Sequence, residues 1–207
     1  MKKKINCNWH KYVDLGLPSG LLWATCNVGA KEPWENGLYF SWGNVDGHKK
    51  GSGYDFGESN NGPYASTPGA SLIGSIPVNT TYDTARANFG GNWRMPAKDE
   101  FKELHDNCTS EWVTQNGVNG RMLTSNINGN SVFFPAVGFY YGTILNYEGM
   151  YGGYWLGSLH SQTAAYGFFF GSGYVYPNDL CSRFYGYPVR AVLDRQKDSL
   201  MIKTIKR

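Results

Sequence analysis

Few residues in this chain are placed to do covalent chemistry. The thiols are Cys7, Cys26, Cys108 and Cys181, and no two form a CxxC pair or a metal-ligand spacing. A Cys26–Cys108 bridge is left open by the sequence. Cys26 lies in an apolar run and reads as a buried thiol. His105 has the chemistry of a general base, but no motif ties a nucleophile or carboxylate to it. Gly171-Ser172-Gly173 has no helix after it and so is not a phosphate cradle. Pro177-Asn178-Asp179 is similar to a calcium-dependent lectin loop, but no second acidic triplet accompanies it. No hydrolase elbow, zinc-protease, P-loop, dinucleotide or EF-hand pattern is present. Neither catalysis, a metal nor a cofactor is expected. The remaining chemistry is recognition.

Recognition chemistry concentrates between Gly152 and Val192. Some positions there have scaffold character: Trp155, Phe170, Gly173, Val175, Pro177, Gly186, Val189 and Arg190. Between them stand Leu159, His160, Gly167, Phe169, Gly171, Tyr174, Tyr176, Asn178, Asp179, Leu180, Ser182, Phe184, Tyr185 and Tyr187. This second set is rich in Tyr and Phe and nearly free of charge. Such side chains offer contact area at low entropic cost. Strand periodicity puts Tyr174 and Tyr176 on one face and Val175 on the other. The fourteen residues are therefore expected to share one exposed face. Trp155, Phe170, Val175 and Val189 are expected in the core.

The elements that must hold this surface are short. The 207 residues include 27 glycines and 16% aromatics against 17% charged residues, a composition of many short strands joined by turns. The length suits one domain with a real core. Tyr12 to Val28 reads as strand, turn at Pro18-Ser19-Gly20, and strand. Leu38 to Trp42 is a third strand, and residues 43–80 read as a long surface loop. Helices are predicted near 82–89 and 97–107, with Asp83 at the first N-terminus and Phe101 and Leu104 on one face of the second. Strands follow at 112–114, 121–125 and 131–137, with hairpin turns at Asn119-Gly120 and Asn128-Gly129. Gly138 to Met150 reads as a Tyr/Gly loop. Residues 1–11 and 193–207 read as tails. Residues 1–14 and 193–207 each carry a net +3, so with a total of +3 the body between them is near −3, which makes nucleic acid an unsuitable partner. No apolar run has the length of a signal peptide core or a membrane span.

Several segments carry a resemblance. They are VDLGLPSGLLWATCNVGA (13–30), LYFSWG (38–43), NWRMPAKDEFKEL (92–104), CTSEW (108–112), NGNSVFFPAVG (128–138) and the succession of Trp155, Phe170, Ser172-Gly173, Val175, Arg183, Gly186 and Val189-Arg190. Together they resemble the Fibrobacter succinogenes major paralogous domain over residues 12–192. The resemblance implies an α+β, C-type lectin-like fold related to formylglycine-generating enzymes. It also implies kinship with the variable proteins of diversity-generating retroelements, in which adenines at the 3′ end of a gene are rewritten. The chain departs from the family ending at Leu156-Gly157, Pro188 and Ala191.

Rewriting adenines in AAY codons cannot yield Lys, Glu, Gln, Met or Trp. These five types number 34 in the 207 residues, yet Gln162 is the only one from residue 156 to 193. That deficit fits a diversified segment. The expected function is binding of a cell-surface protein or glycan, by a phage-tail or cell-surface protein exported without a signal peptide. A trimer is compatible with the phage-tail reading. An undiversified adhesin or structural module is the alternative, and an enzyme of the formylglycine-generating type is the third.

Overall fold

The computed structural model describes residues 10–57 and 82–194. Most of the expected N-terminal tail, most of the surface loop and the C-terminal segment after Asp194 lie outside the described residues. The fold is α+β: small antiparallel sheets with two helices.

Strand β1 (Tyr12–Asp14) turns through Pro18-Ser19-Gly20 into β2 (Leu21–Ala24), whose four residues are all buried. Gly20 takes φ +71° at this turn, and its N–H donates to Leu17 O at 2.8 Å. Strand β12 (Val192–Asp194) inserts between β2 and β3 (Trp93–Arg94), giving the order β1-β2-β12-β3. The ordered fold thus extends past residue 192, where a tail was expected. At the other end His10 stacks on Phe89 with ring centroids 3.6 Å apart.

Helix α1 (Thr84–Phe89) is capped by Asp83, whose carboxylate accepts from Arg86 N–H and Met95 N–H. Helix α2 (Lys98–Asp106) starts without a side-chain cap at Ala97. Glu100 compensates: its carboxylate accepts from Ala97 N–H and takes two hydrogen bonds from Arg94 at 2.7 and 2.6 Å. Phe101 and Leu104 face the core, as their spacing predicts.

Strands β4 (Cys108–Gln115), β5 (Val118–Ser125) and β6 (Ser131–Pro135) form a meander. Its first turn is Asn116-Gly117, both at positive φ, and not Asn119-Gly120. Gly120 instead lies inside β5, where a Cβ would run into the Phe134 carbonyl and the Phe133 ring. The glycine there serves a close approach, not a turn. Two further expectations change. Leu38 to Trp42 is held by isolated bridges, Tyr39 to His48 and Phe40 to Tyr187, rather than as a strand. The Tyr/Gly loop contains a hairpin, β7 (Phe139–Tyr141) and β8 (Ile144–Asn146), closed by Gly142-Thr143 with Gly142 at φ +58°.

The central sheet has the order β11-β10-β9, with β9 spanning Gly152–Leu159, β10 Ala164–Phe170 and β11 Val175–Ser182. Every residue of β9 is buried, because a core lies on each side of it. Trp155 belongs to one core, with Trp42, Phe169, Tyr187 and Val189. Tyr154 belongs to the other, with Trp23, Phe101, Phe134 and Phe170. Each polar ring atom is satisfied by a main-chain carbonyl: Trp155 Nε1 donates to Phe40 O and Tyr154 OH to Pro135 O, both at 2.8 Å. Trp155→Ala should therefore cost about 3–5 kcal/mol, measured as a lowered denaturation midpoint.

Candidate binding surface

The surface is built from the sheet's edge strand. Between β10 and β11 the chain turns at residues 171–174. The buried Arg121 of β5 holds this turn: Nη2 donates to Gly171 O at 2.7 Å, to Ser172 O at 2.9 Å and to Tyr174 O at 3.4 Å, and Nε also donates to Gly171 O. All these acceptors are main-chain atoms. Tyr174 and Tyr176 project from the strand end, 41% and 51% exposed, with ring centroids 5.2 Å apart. Val175 points the other way and packs on the second core, but it is half-buried because β11 has a neighbour on one side only.

Strict alternation fails two residues later. Tyr176 pairs with Phe169 and Asp179 with Gly167, so Pro177 and Asn178 together oppose Phe168. This is a β-bulge on an edge strand, a setting that accommodates a proline. It returns Asp179 and Cys181 to the face of Tyr176 and sends Asn178 and Leu180 to the opposite one. There Leu180 pairs with Tyr166, and the Asn178 amide, in the orientation its acceptors require, donates to Lys98 O at 2.8 Å.

The fourteen expected residues therefore do not form one exposed face. Tyr174, Tyr176 and Asp179 are exposed on one side of β11, while Phe184 and Tyr185 pair with each other and are half-buried, Tyr185 against the first core. His160 is exposed but lies edge-on to Tyr166, beside Leu180's side of the sheet. Ser182, at the far end of β11, is half-buried. Leu159, Gly167, Phe169, Gly171 and Tyr187 are buried. Their burial has local causes. Leu159 and Phe169 sit on strands with cores on both faces. The Phe169 ring covers Gly167, and the Tyr174 ring lies 2.7 Å from where a Gly171 Cβ would stand. Tyr187 lies edge-on to Trp155 with centroids 4.9 Å apart, and its hydroxyl meets Cys181 Sγ at 3.3 Å. These five support the surface and do not face solvent.

Phe184 and Tyr185 are held out by the backbone on both sides of them. Phe40 and Tyr187 exchange both of their main-chain hydrogen bonds, and so do Tyr140 and Gly186. Trp42 N–H donates to Arg183 O at 2.8 Å, and the buried Arg183 guanidinium lies 4.7 Å from the Trp42 ring centre. Phe184 and Tyr185 touch ring to ring at 4.7 Å and meet Tyr141 at 6.0 and 5.4 Å. Phe139 joins Tyr185 at 5.4 Å and Tyr151 at 5.6 Å. The β7–β8 residues thus belong to the surface, although sequence reasoning placed them in a plain loop. The available signal was Gly142-Thr143, a two-residue hairpin loop flanked by Tyr141 and Ile144.

Reactive chemistry is poorly served here. Cys26, Cys108 and Cys181 are free thiols, so Cys26 and Cys108 are not bridged. Cys26 is only partly buried, with its Sγ against Lys31 O. Burial pushes the thiols of Cys108 and Cys181 up to about 11, away from the thiolate that a nucleophile requires. Burial also raises the hydroxyls of Tyr151 and Tyr187. Among the described residues no three His, Cys, Asp or Glu side chains gather as a metal site needs, and no helix is long and apolar enough to cross a membrane. Compared with known protein families, curated proteins and solved structures, the chain gives no match.

If Arg121 fixes the display turn, Arg121→Ala should cost about 1.5–3 kcal/mol, the range for a hydrogen bond to a charged group. Hydrogen exchange should accelerate at residues 171–176 while β9 stays protected. Unchanged exchange at the turn would show that the guanidinium does not hold it.

Proposed function

We propose that this chain is a non-enzymatic binding protein that displays a variable aromatic surface on a C-type lectin-like scaffold. In this reading it acts as the receptor-binding part of a phage tail or of a cell-surface protein. One observation carries the reading. The segments that bear Tyr174, Tyr176, Phe184 and Tyr185 are anchored through main-chain atoms and through side chains other than these four. Substitution at the exposed Tyr174 and Tyr176 then changes the surface without removing an anchor, and exposed substitutions usually alter stability little, whereas Phe184 and Tyr185 are half-buried. The absence of Lys, Glu, Met and Trp between residues 156 and 193 supports adenine-directed rewriting of this segment. So does the resemblance to retroelement variable proteins. The raised thiols of Cys108 and Cys181 weigh against formylglycine-type chemistry.

The test is genetic and then biochemical. A reverse-transcriptase gene and a near-identical repeat of the 3′ coding segment should lie beside this gene. Sister copies should differ at His160, Tyr174, Tyr176, Asn178, Asp179, Leu180, Ser182, Phe184 and Tyr185, while Trp155, Arg183 and Arg190 stay fixed. A gene without these neighbours, and with sister copies uniform along residues 156–193, would leave an undiversified surface module. Tyr174→Ser combined with Tyr176→Ser should leave the melting temperature within a few degrees of the parent's, since both rings are exposed.

A further inference from the structure

The dipeptide Asn-Gly occurs five times, at Asn36, Asn61, Asn116, Asn119 and Asn128. In this dipeptide an asparagine side chain is open to attack by its own backbone, because glycine puts no side chain in the way of its amide nitrogen. Asn61-Gly62 lies outside the described residues. The fold treats the other four differently.

Three are fastened. Asn36 Nδ2 donates to Tyr39 OH at 3.0 Å and to Glu148 Oε1 at 2.8 Å, and the backbone of Gly37 is packed so closely that a Cβ would run into Val28 O. Asn119 Nδ2 donates to Gly149 O at 3.1 Å, its Oδ1 accepts from Thr114 Oγ1 at 2.7 Å, and Gly120 is buried inside β5. Asn128 Nδ2 donates to Asp14 O at 3.0 Å, its Oδ1 accepts from Asn130 N–H at 3.0 Å, and Gly129 N–H donates to Ser125 O at 3.0 Å. At each of the three, the side chain must give up hydrogen bonds before it can swing onto the next nitrogen.

The fourth is open. Asn116 and Gly117 are exposed, at φ +49° and +81°, and form the two-residue loop between the closing pair Gln115 and Val118. Among the described residues neither the Asn116 amide nor the Gly117 N–H has a hydrogen-bond partner. A Cβ on Gly117 would have nothing within 4 Å, so the loop can rotate without displacing a neighbour.

We infer that Asn116 is a deamidation site, the one of these four at which the folded chain modifies itself with water as the only co-reactant. The Gly117 nitrogen attacks Asn116 Cγ and gives up its proton to solvent. The Cγ–Nδ2 bond breaks, and Nδ2 takes up a proton and leaves as ammonia. The five-membered succinimide then adds one water at either carbonyl and opens to aspartate or isoaspartate at position 116. No oxidant or reductant takes part. Either product places a new negative charge at the tip of the β4–β5 hairpin. The iso product also adds a carbon to the backbone of a loop whose two-residue length matches the twist of its strands. The inference does not depend on the chain being a binding protein.

The test is incubation of the folded full chain in mildly alkaline buffer, followed over time by peptide mass spectrometry. Fragment ions distinguish Asn116 from Asn119. Amide loss at Asn116 should run about tenfold faster or more than at Asn36, Asn119 and Asn128, which react only after local opening. A protein isoaspartate methyltransferase should label position 116 in the same samples. In denaturant all four keep their glycine neighbour and lose their hydrogen bonds, so the lead of Asn116 should shrink. The inference is overturned if Asn116 in the folded chain reacts no faster than the other three. It is equally overturned if its lead is unchanged in denaturant, because the selectivity would then belong to the flanking sequence and not to the fold.

Discussion

Strand β9 is covered on both faces along its whole length, and the packing elsewhere follows from that. A strand with two interior faces must make room on both. Gly152 and Gly153 do so in sequence: a Cβ on the first would collide with the Phe170 ring and on the second with the Tyr187 ring. Trp155 and Tyr154 then fill opposite cores, each sending its polar atom to a main-chain carbonyl. From Trp155 the contacts run outward without a break, through Tyr187 and Tyr185 to Tyr141. Core and surface are one stack of rings, and the same packing that stabilises the interior orients the outermost tyrosines.

Three buried arginines set the backbone around that stack. Arg190 donates to Ala24 O, to Thr25 O and twice to Asn27 Oδ1, and its guanidinium lies 4.8 Å from the centre of the Phe134 ring. Arg183 donates to Gln162 O, and Arg121 to the carbonyls of the display turn. A guanidinium has five donors in a planar fork and can gather several carbonyls that no sheet partner reaches. It therefore fixes irregular backbone where regular pairing stops, which is where the exposed side chains are carried.

Local patterns gave the helices, because capping residues and apolar spacing act within a few positions of each other. Asp83, Phe101 and Leu104 behave as their neighbourhoods predict. The outward pairing of Tyr174 and Tyr176 was legible for the same reason. The rest of the surface was not. Pro177 and Asn178 share one partner position, and that bulge depends on Phe168 across the strand, not on anything adjacent. Phe169 and Tyr187 look like Tyr176 and Tyr185 in composition, and only the layers above and below them decide which are buried. Asn116-Gly117 and Asn119-Gly120 are the same dipeptide. The choice between them is made by the Phe134 carbonyl, which leaves no space for a side chain at Gly120.

Strand β12 has a consequence for how the molecule comes into being. It occupies the slot between β2 and β3, so the N-terminal strands cannot complete their sheet until residues 192–194 are available. On the ribosome, β1 and β2 emerge long before β12. Closure joins residues about as far apart in sequence as this domain allows, and contacts of that kind form slowly. Residues 21–24, apolar and paired on one side only, remain an open edge during that interval. The nascent chain is thus most vulnerable to wrong association just before β12 arrives, and a premature stop that removed β12 would make that vulnerable state permanent.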